Sequence, residues 1–185
     1  FESTVPMEPR PSESVDSSLL GYWYGIVKDG SDFFGIEALE ISQKSDSLYS
    51  IIRYGKGIKA DMIMPDTAIF TGYTSYIGNQ RFMNIEGWVT IEEVYKKKRE
   101  RRQQKVFYVS ALDRKNDTLD VRTVTEGFSI KKFFNHPADF KQLVTEMLSR
   151  QRNIYDDQYS LKYRKIPKPL QIFPSRGLGV PQKKP

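Results

Sequence analysis

The chain predicts a mainly β fold: an antiparallel meander forming a lipocalin-like barrel or half-barrel, or else folding into a sandwich, with one amphipathic helix near the C-terminal end. Three observations predict it. Short runs rich in β-branched and aromatic residues recur from about residue 19 to residue 134, each stopped by Gly, Pro, Asn, Asp or Lys. The runs follow one another at close spacing, which suits neighbours in sequence pairing as antiparallel hairpins. One segment alone, after Asn135-His136-Pro137, changes to a helical period.

Taken in order, the first run is residues 20–27 (LGYWYGIV), stopped by Lys28-Asp29-Gly30, and the second is residues 34–41 (FGIEALEI), stopped by Lys44-Ser45-Asp46. Residues 47–54 then run into Gly55-Lys56-Gly57, read as a tight turn, and residues 58–64 end at Pro65-Asp66. Residues 68–76 end at Gly78-Asn79, and residues 81–91 form a longer run through Trp88. Residues 106–112 and 118–125 flank Asp113-Arg114-Lys115-Asn116-Asp117, a hairpin loop, and residues 128–134 read as a last short strand before the helix. Eight or nine strands result. In the helix, expected over about residues 136–152, proline at the first position costs nothing because its missing N–H would be unpaired there. Phe140, Leu143, Val144, Met147 and Leu148 recur at i, i+3, i+4, i+7 and i+8, so they share a face that must lie against another apolar surface. Residues 159–166 alternate as a final edge strand.

The ends differ from this body. Residues 1–18 are rich in Pro, Ser and Glu without a hydrophobic period and read as an extended tether. Residues 167–185 are rich in Pro, Gly and Lys and read as an irregular basic tail. The β domain is therefore expected over residues 19–166.

Composition narrows the chemistry. Among 185 residues there is no cysteine, which excludes disulfides, thiolate zinc sites and cysteine nucleophiles. A single histidine, His136, excludes any site needing two imidazoles and argues against a histidine-based triad. Its place is at the helix entrance; Asp139 would make only a weak metal pair with it. The doublets Glu92-Glu93 and Asp156-Asp157 could mimic paired carboxylates, but adjacent residues on a strand point to opposite faces, and solvation accounts for them better. There is no Gly-rich phosphate cradle and no Gly-X-Ser-X-Gly elbow. The protein is expected not to be an enzyme and to need no cofactor or metal. No apolar run approaches the length of a membrane-spanning helix.

The net charge of +6, from 29 Lys and Arg against 23 Asp and Glu, is local. One centre is Lys96, Lys97, Lys98, Arg99, Arg101, Arg102 and Lys105, read as the tip of a long hairpin arm; the other is the tail from Lys162 onward. Such an arm could neutralise phosphates of an anionic membrane surface, contact an acidic protein, or be a solvated loop that blocks edge pairing. Nucleic acid is disfavoured, because no recognition motif or stacking platform accompanies the charge.

Gly21-Tyr22-Trp23, preceded by Leu19-Leu20, resembles the Gly-X-Trp element that opens lipocalin-type barrels. The order of Pro/Ser leader, Leu-Leu-Gly-X-Trp, β meander, helix and closing Tyr-Arg-basic strand is similar to small exported bacterial lipoproteins with a lipocalin-like fold. The resemblance covers about residues 5–166. It implies export to the periplasm or outer membrane, with a lipid-modified cysteine before the leader; the start at Phe1 fits a processed or trimmed chain. It also places Arg122, in Leu119-Asp120-Val121-Arg122, against Trp23 to close the barrel. The parity of that strand leaves a second reading open, since Arg122 lies opposite in face to Leu119 and Val121.

Aromatics make up 13% of the chain, a share high enough to line an amphipathic pocket as well as to fill a core. Trp23, Tyr54, Phe82, Trp88, Tyr108 and Arg122 are the candidate lining or closing residues. The function expected is a non-catalytic, membrane-tethered binding module, holding an apolar or amphipathic small molecule or a protein partner. The alternative is a scaffold or assembly protein whose basic arm (residues 96–105) and tail contact acidic surfaces.

Overall fold

A computed structural model describes residues 3–29, 33–59, 62–95, 98–124 and 134–168. Eight strands run in sequence order, β1 (Gly21–Asp29), β2 (Phe33–Gln43), β3 (Tyr49–Lys59), β4 (Met62–Ile77), β5 (Gln80–Tyr95), β6 (Lys98–Lys115), β7 (Thr118–Val124) and β8 (Tyr155–Ile166), with a helix α1 (Pro137–Ser149) before the last. Each strand pairs antiparallel with the next, and β8 pairs back onto β1 through Tyr22↔Ile166 to Gly25↔Tyr163. The sheet is thus a closed barrel, lipocalin-like in architecture, with one α-helix among the described residues.

Closure changes how two parts of the sequence behave. Residues 159–166 do not form an edge strand: β8 starts at Tyr155 and has a neighbour on each side, β7 and β1. Gly55-Lys56-Gly57 is no turn either, because β3 continues to Lys59 and β4 begins at Met62, Lys56 sitting opposite Pro65. The tight turns lie where left-handed residues permit them, at Gly78 (φ 56°) between β4 and β5 and at Asn116 (φ 53°) between β6 and β7. Residues 125–133 and 169–185, which include most of the expected last short strand and the tail, lie outside the described residues.

Alternation along the strands sends side chains to two apolar clusters. Inside the barrel, Trp23, Ile41, Tyr49, Ile51, Met83, Leu112, Leu119 and Tyr163 pack with Leu19 from a short 3-10 helix at Ser17–Leu19. Outside it, Phe82, Val109, Ala111 and Val124 of β5, β6 and β7 meet the buried side of α1, Phe140 and Val144. Those two helix residues are fully buried, and Leu143, Met147 and Leu148 pack partly on the same cluster, as the helical period demands. Each fully buried side chain of this size contributes about 1.5–3 kcal/mol relative to exposure. The Phe134 ring stacks on Phe140 with centroids 4.7 Å apart. The helix begins with His136 at the N-cap and Pro137 in its first turn, and it ends at Ser149, with Arg150 as the C-cap before Gln151 turns left-handed (φ 53°).

The N-terminal stretch departs from a free tether. Residues 3–12 run along the outside of the barrel, where the outer side of β4–β6 carries Tyr73, Phe82 and Val109 and the helix covers only part of it. Val15 and Asp16 then turn onto the floor end, Val15 packing on the inner cluster and Asp16 N–H donating to the Tyr49 hydroxyl at 2.7 Å. Met7 is fully buried in the outer cluster. Ser3 and Phe107 exchange backbone hydrogen bonds of 2.8 and 2.9 Å, and Ser12 N–H donates to the Thr74 carbonyl at 3.0 Å. Asn84, itself buried, accepts from Glu8 N–H at 3.2 Å, while Tyr73 donates to the Glu8 carbonyl. Lys141 of α1 pairs with the Glu8 carboxylate and ties the two coverings together.

Candidate functional site

The inside of the barrel is sealed at one end and hollow above it. At the sealed end Trp23 is fully buried, its indole N–H donating to the Leu19 carbonyl at 2.9 Å. The cation over its ring belongs to Lys165, directly opposite on β8, with Nζ 5.2 Å from the ring centroid and 3.1 Å from the Ser18 carbonyl. A contact of this kind contributes about 0.5–2 kcal/mol. Gly21 makes room for it: the residue holds φ 119°, and a Cβ there would come within 3.3 Å of Lys165 Cε.

Above this floor lies a cavity of about 530 Å³, within the range that holds small ligands. Its walls are mostly aliphatic and aromatic: Leu39, Ile41, Ile51, Phe70, Met83, Ile85, Tyr108, Leu112, Val121 and Leu161, with Trp88 at the edge. The Phe70 and Tyr108 rings meet edge to face, centroids 6.1 Å apart. Two charged residues point in. Glu37 on β2 accepts a hydrogen bond from the Tyr163 hydroxyl, and Arg53 on β3 reaches the other Glu37 oxygen at 3.9 Å. Burial, and next the Glu37 charge beside it, push the Tyr163 hydroxyl well above its ordinary pKa, so it stays a neutral donor. Gly25 on β1 permits this placement, since a Cβ there would stand 3.1 Å from the Tyr163 ring. Ser110 and Thr123 add a hydroxyl pair, 3.1 Å apart.

The expected lining residues divide by strand parity. Tyr108 lines the cavity, Trp23 closes the floor, and Trp88 stands at the cavity edge, 61% exposed. Tyr54 and Phe82 do not line it. Tyr54 neighbours the inward Arg53, so it turns outward and donates to Glu40 at 3.0 Å, and Phe82, beside the inward Met83, is buried under α1. Arg122 does not meet Trp23. It follows the inward Val121, faces outward, and rests 4.4 Å from the Tyr155 ring centroid while donating to Gln80 at 3.1 Å. Lys165 takes the position expected of it.

The basic arm is a continuation of the β5–β6 ladder, which runs unbroken to Tyr95↔Lys98. Lys96 and Lys97 lie outside the described residues. Lys98 and Arg99 lie opposite Tyr95 and Val94, and Arg101 and Arg102 are exposed. Lys105 pairs with Glu86 at 2.9 Å and sits 5.4 Å from the Trp88 ring centroid, which ties the base of the arm to the cavity edge.

Among the described residues no group of three metal-ligating side chains occurs, and no helix is long and apolar enough to cross a membrane. The fold and cavity together define a closed eight-stranded antiparallel barrel whose largely apolar interior carries, among the described residues, the Glu37–Arg53–Tyr163 group and the Ser110–Thr123 hydroxyl pair. No protein-family model matches the chain, nor does any curated protein or solved structure.

Proposed function

We propose that the protein is a non-catalytic binding module that holds an apolar or amphipathic small molecule inside the barrel. The hollow apolar interior above Trp23 carries this reading: a barrel of eight strands can be filled by its own side chains, and this one keeps about 530 Å³ unfilled. Export and membrane tethering belong to the same proposal and rest on the resemblance of the Leu-Leu-Gly-X-Trp opening to lipocalin-like lipoproteins.

The test is titration with N-phenyl-1-naphthylamine, a neutral apolar fluorophore, into the wild type and a Leu112→Trp variant that fills the cavity. Strong blue-shifted emission from the wild type and its loss in the folded variant are expected. Equal emission from both overturns the proposal.

A second reading is favoured by the unbroken β5–β6 ladder, which presents exposed Arg101 and Arg102 on an ordered ribbon. Here the arm contacts an acidic protein or an anionic membrane. Reversing Arg101, Arg102 and Lys105 to Glu should then abolish binding to phosphatidylglycerol vesicles at low salt; unchanged binding rejects the vesicle surface as partner.

A further inference from the structure

Glu37 and Arg53 are the charged side chains among the described residues that line the cavity, and together they are neutral. Tyr163 donates to Glu37, and the remaining inward hydroxyls, Ser110 and Thr123, carry no charge. The group lies well inside the barrel: Glu37 and Tyr163 both sit opposite Gly25, one inward-facing position along β1 from Trp23. A ligand's polar end that reaches it meets a carboxylate acceptor and a guanidinium fork of donors side by side, with aliphatic walls around both.

A charged head placed there leaves the group with a net charge. A carboxylate gains Arg53 but lies against the Glu37 carboxylate; an ammonium gains Glu37 but lies against Arg53. Either ion must also leave water, at a desolvation cost that only an unopposed partner offsets. A hydroxyl or primary amide has no such conflict, because it accepts from Arg53 and donates to Glu37 at once.

We infer that the cavity selects neutral amphiphiles, an alkyl chain ending in a hydroxyl or amide, over the fatty carboxylate or alkylammonium of equal length. The inference rests on the barrel being a ligand site and adds to it the class of head group.

Calorimetric titration of the protein with decan-1-ol, decanoate and decylammonium near neutral pH tests it. Decan-1-ol should bind roughly tenfold tighter than either ion. Glu37→Gln removes the anion and should make decanoate the tightest of the three, while Arg53→Gln should do the same for decylammonium. Circular dichroism checks that each variant is folded, and either variant suffices if the other is not. Wild-type preference for either ion overturns the inference, as does a folded variant that keeps the wild-type order. Binding of none of the three to the wild type removes the cavity proposal itself, and the head-group inference with it.

Discussion

Adjacent residues of β5, Phe82 and Met83, enter different environments on the two sides of one wall. Phe82 meets Met7, Phe140 and Val144 in the outer cluster, where the helix and the N-terminal stretch leave it fully buried. Met83 belongs to the inner cluster and lines the cavity. The outer cluster is covered by added elements until its side chains are close-packed; the inner one is closed at the Trp23 end only. The contrast separates two tasks. Packing that holds the fold lies largely outside the barrel and at its floor, and the interior is left free to accept a guest.

If that division holds, truncation should hurt far more outside than inside. Phe140→Ala removes a fully buried ring from the outer cluster and should cost about 3–5 kcal/mol. The melting temperature should fall by on the order of 10 °C in calorimetry. Ile85→Ala trims the cavity wall, where no new enclosed void forms, and should cost about 1 kcal/mol while enlarging the cavity. Equal costs at the two positions would break the comparison, because the interior would then be as tightly packed as the outer cluster.

A further expectation, confined to acid pH, concerns the polar lock that holds the N-terminal stretch beside the floor. Burial raises the Asp16 carboxyl, but hydrogen bonds from Ser18 and from Arg81, at 2.9 and 2.8 Å, outweigh it and bring the pKa down from 3.8 to about 2. Burial acts against the charged form of Arg81 too, yet its bonds to Asp16 and Tyr76 and the nearby Glu13 hold its pKa above the usual value. The lowered Asp16 value means that its contribution is complete above about pH 4 and is lost as pH falls through about 2. Asp16→Asn should therefore flatten the decline in stability over that window, measured by urea unfolding, and leave the order of the two truncations untouched.

Much of this arrangement was legible from the residues. The spacing of Phe140, Leu143, Val144, Met147 and Leu148 identified the covering helix and its buried side, because a period of 3.6 has one physical solution. Trp23 as a closing residue followed from the Gly-X-Trp element. The alternation of Leu119 and Val121 already placed Arg122 on the other face, and the structure agrees with parity over resemblance. Glu37 and Arg53 were missed for a definite reason. Their strands carry apolar residues on both faces, as in Ile36-Glu37-Ala38-Leu39-Glu40-Ile41, so alternation does not distinguish an inward charge from a solvated one. Lys165 was missed because a lysine in a last strand reads as edge protection, and a closed sheet makes that strand internal. Met7 gave no signal at all: a docked segment without regular structure has no period to detect.

The pairing of Trp23 with Lys165 joins positions near opposite ends of the described chain, with seven strands laid down before the eighth arrives. Contacts so distant in sequence close late and set a slow folding rate. During synthesis β1 therefore waits with one flank of its backbone unpaired until residue 166 has emerged. A chain cut short before β8 would present that flank, and the free side of β7, as edges of an unclosed sheet to whatever other strands are nearby.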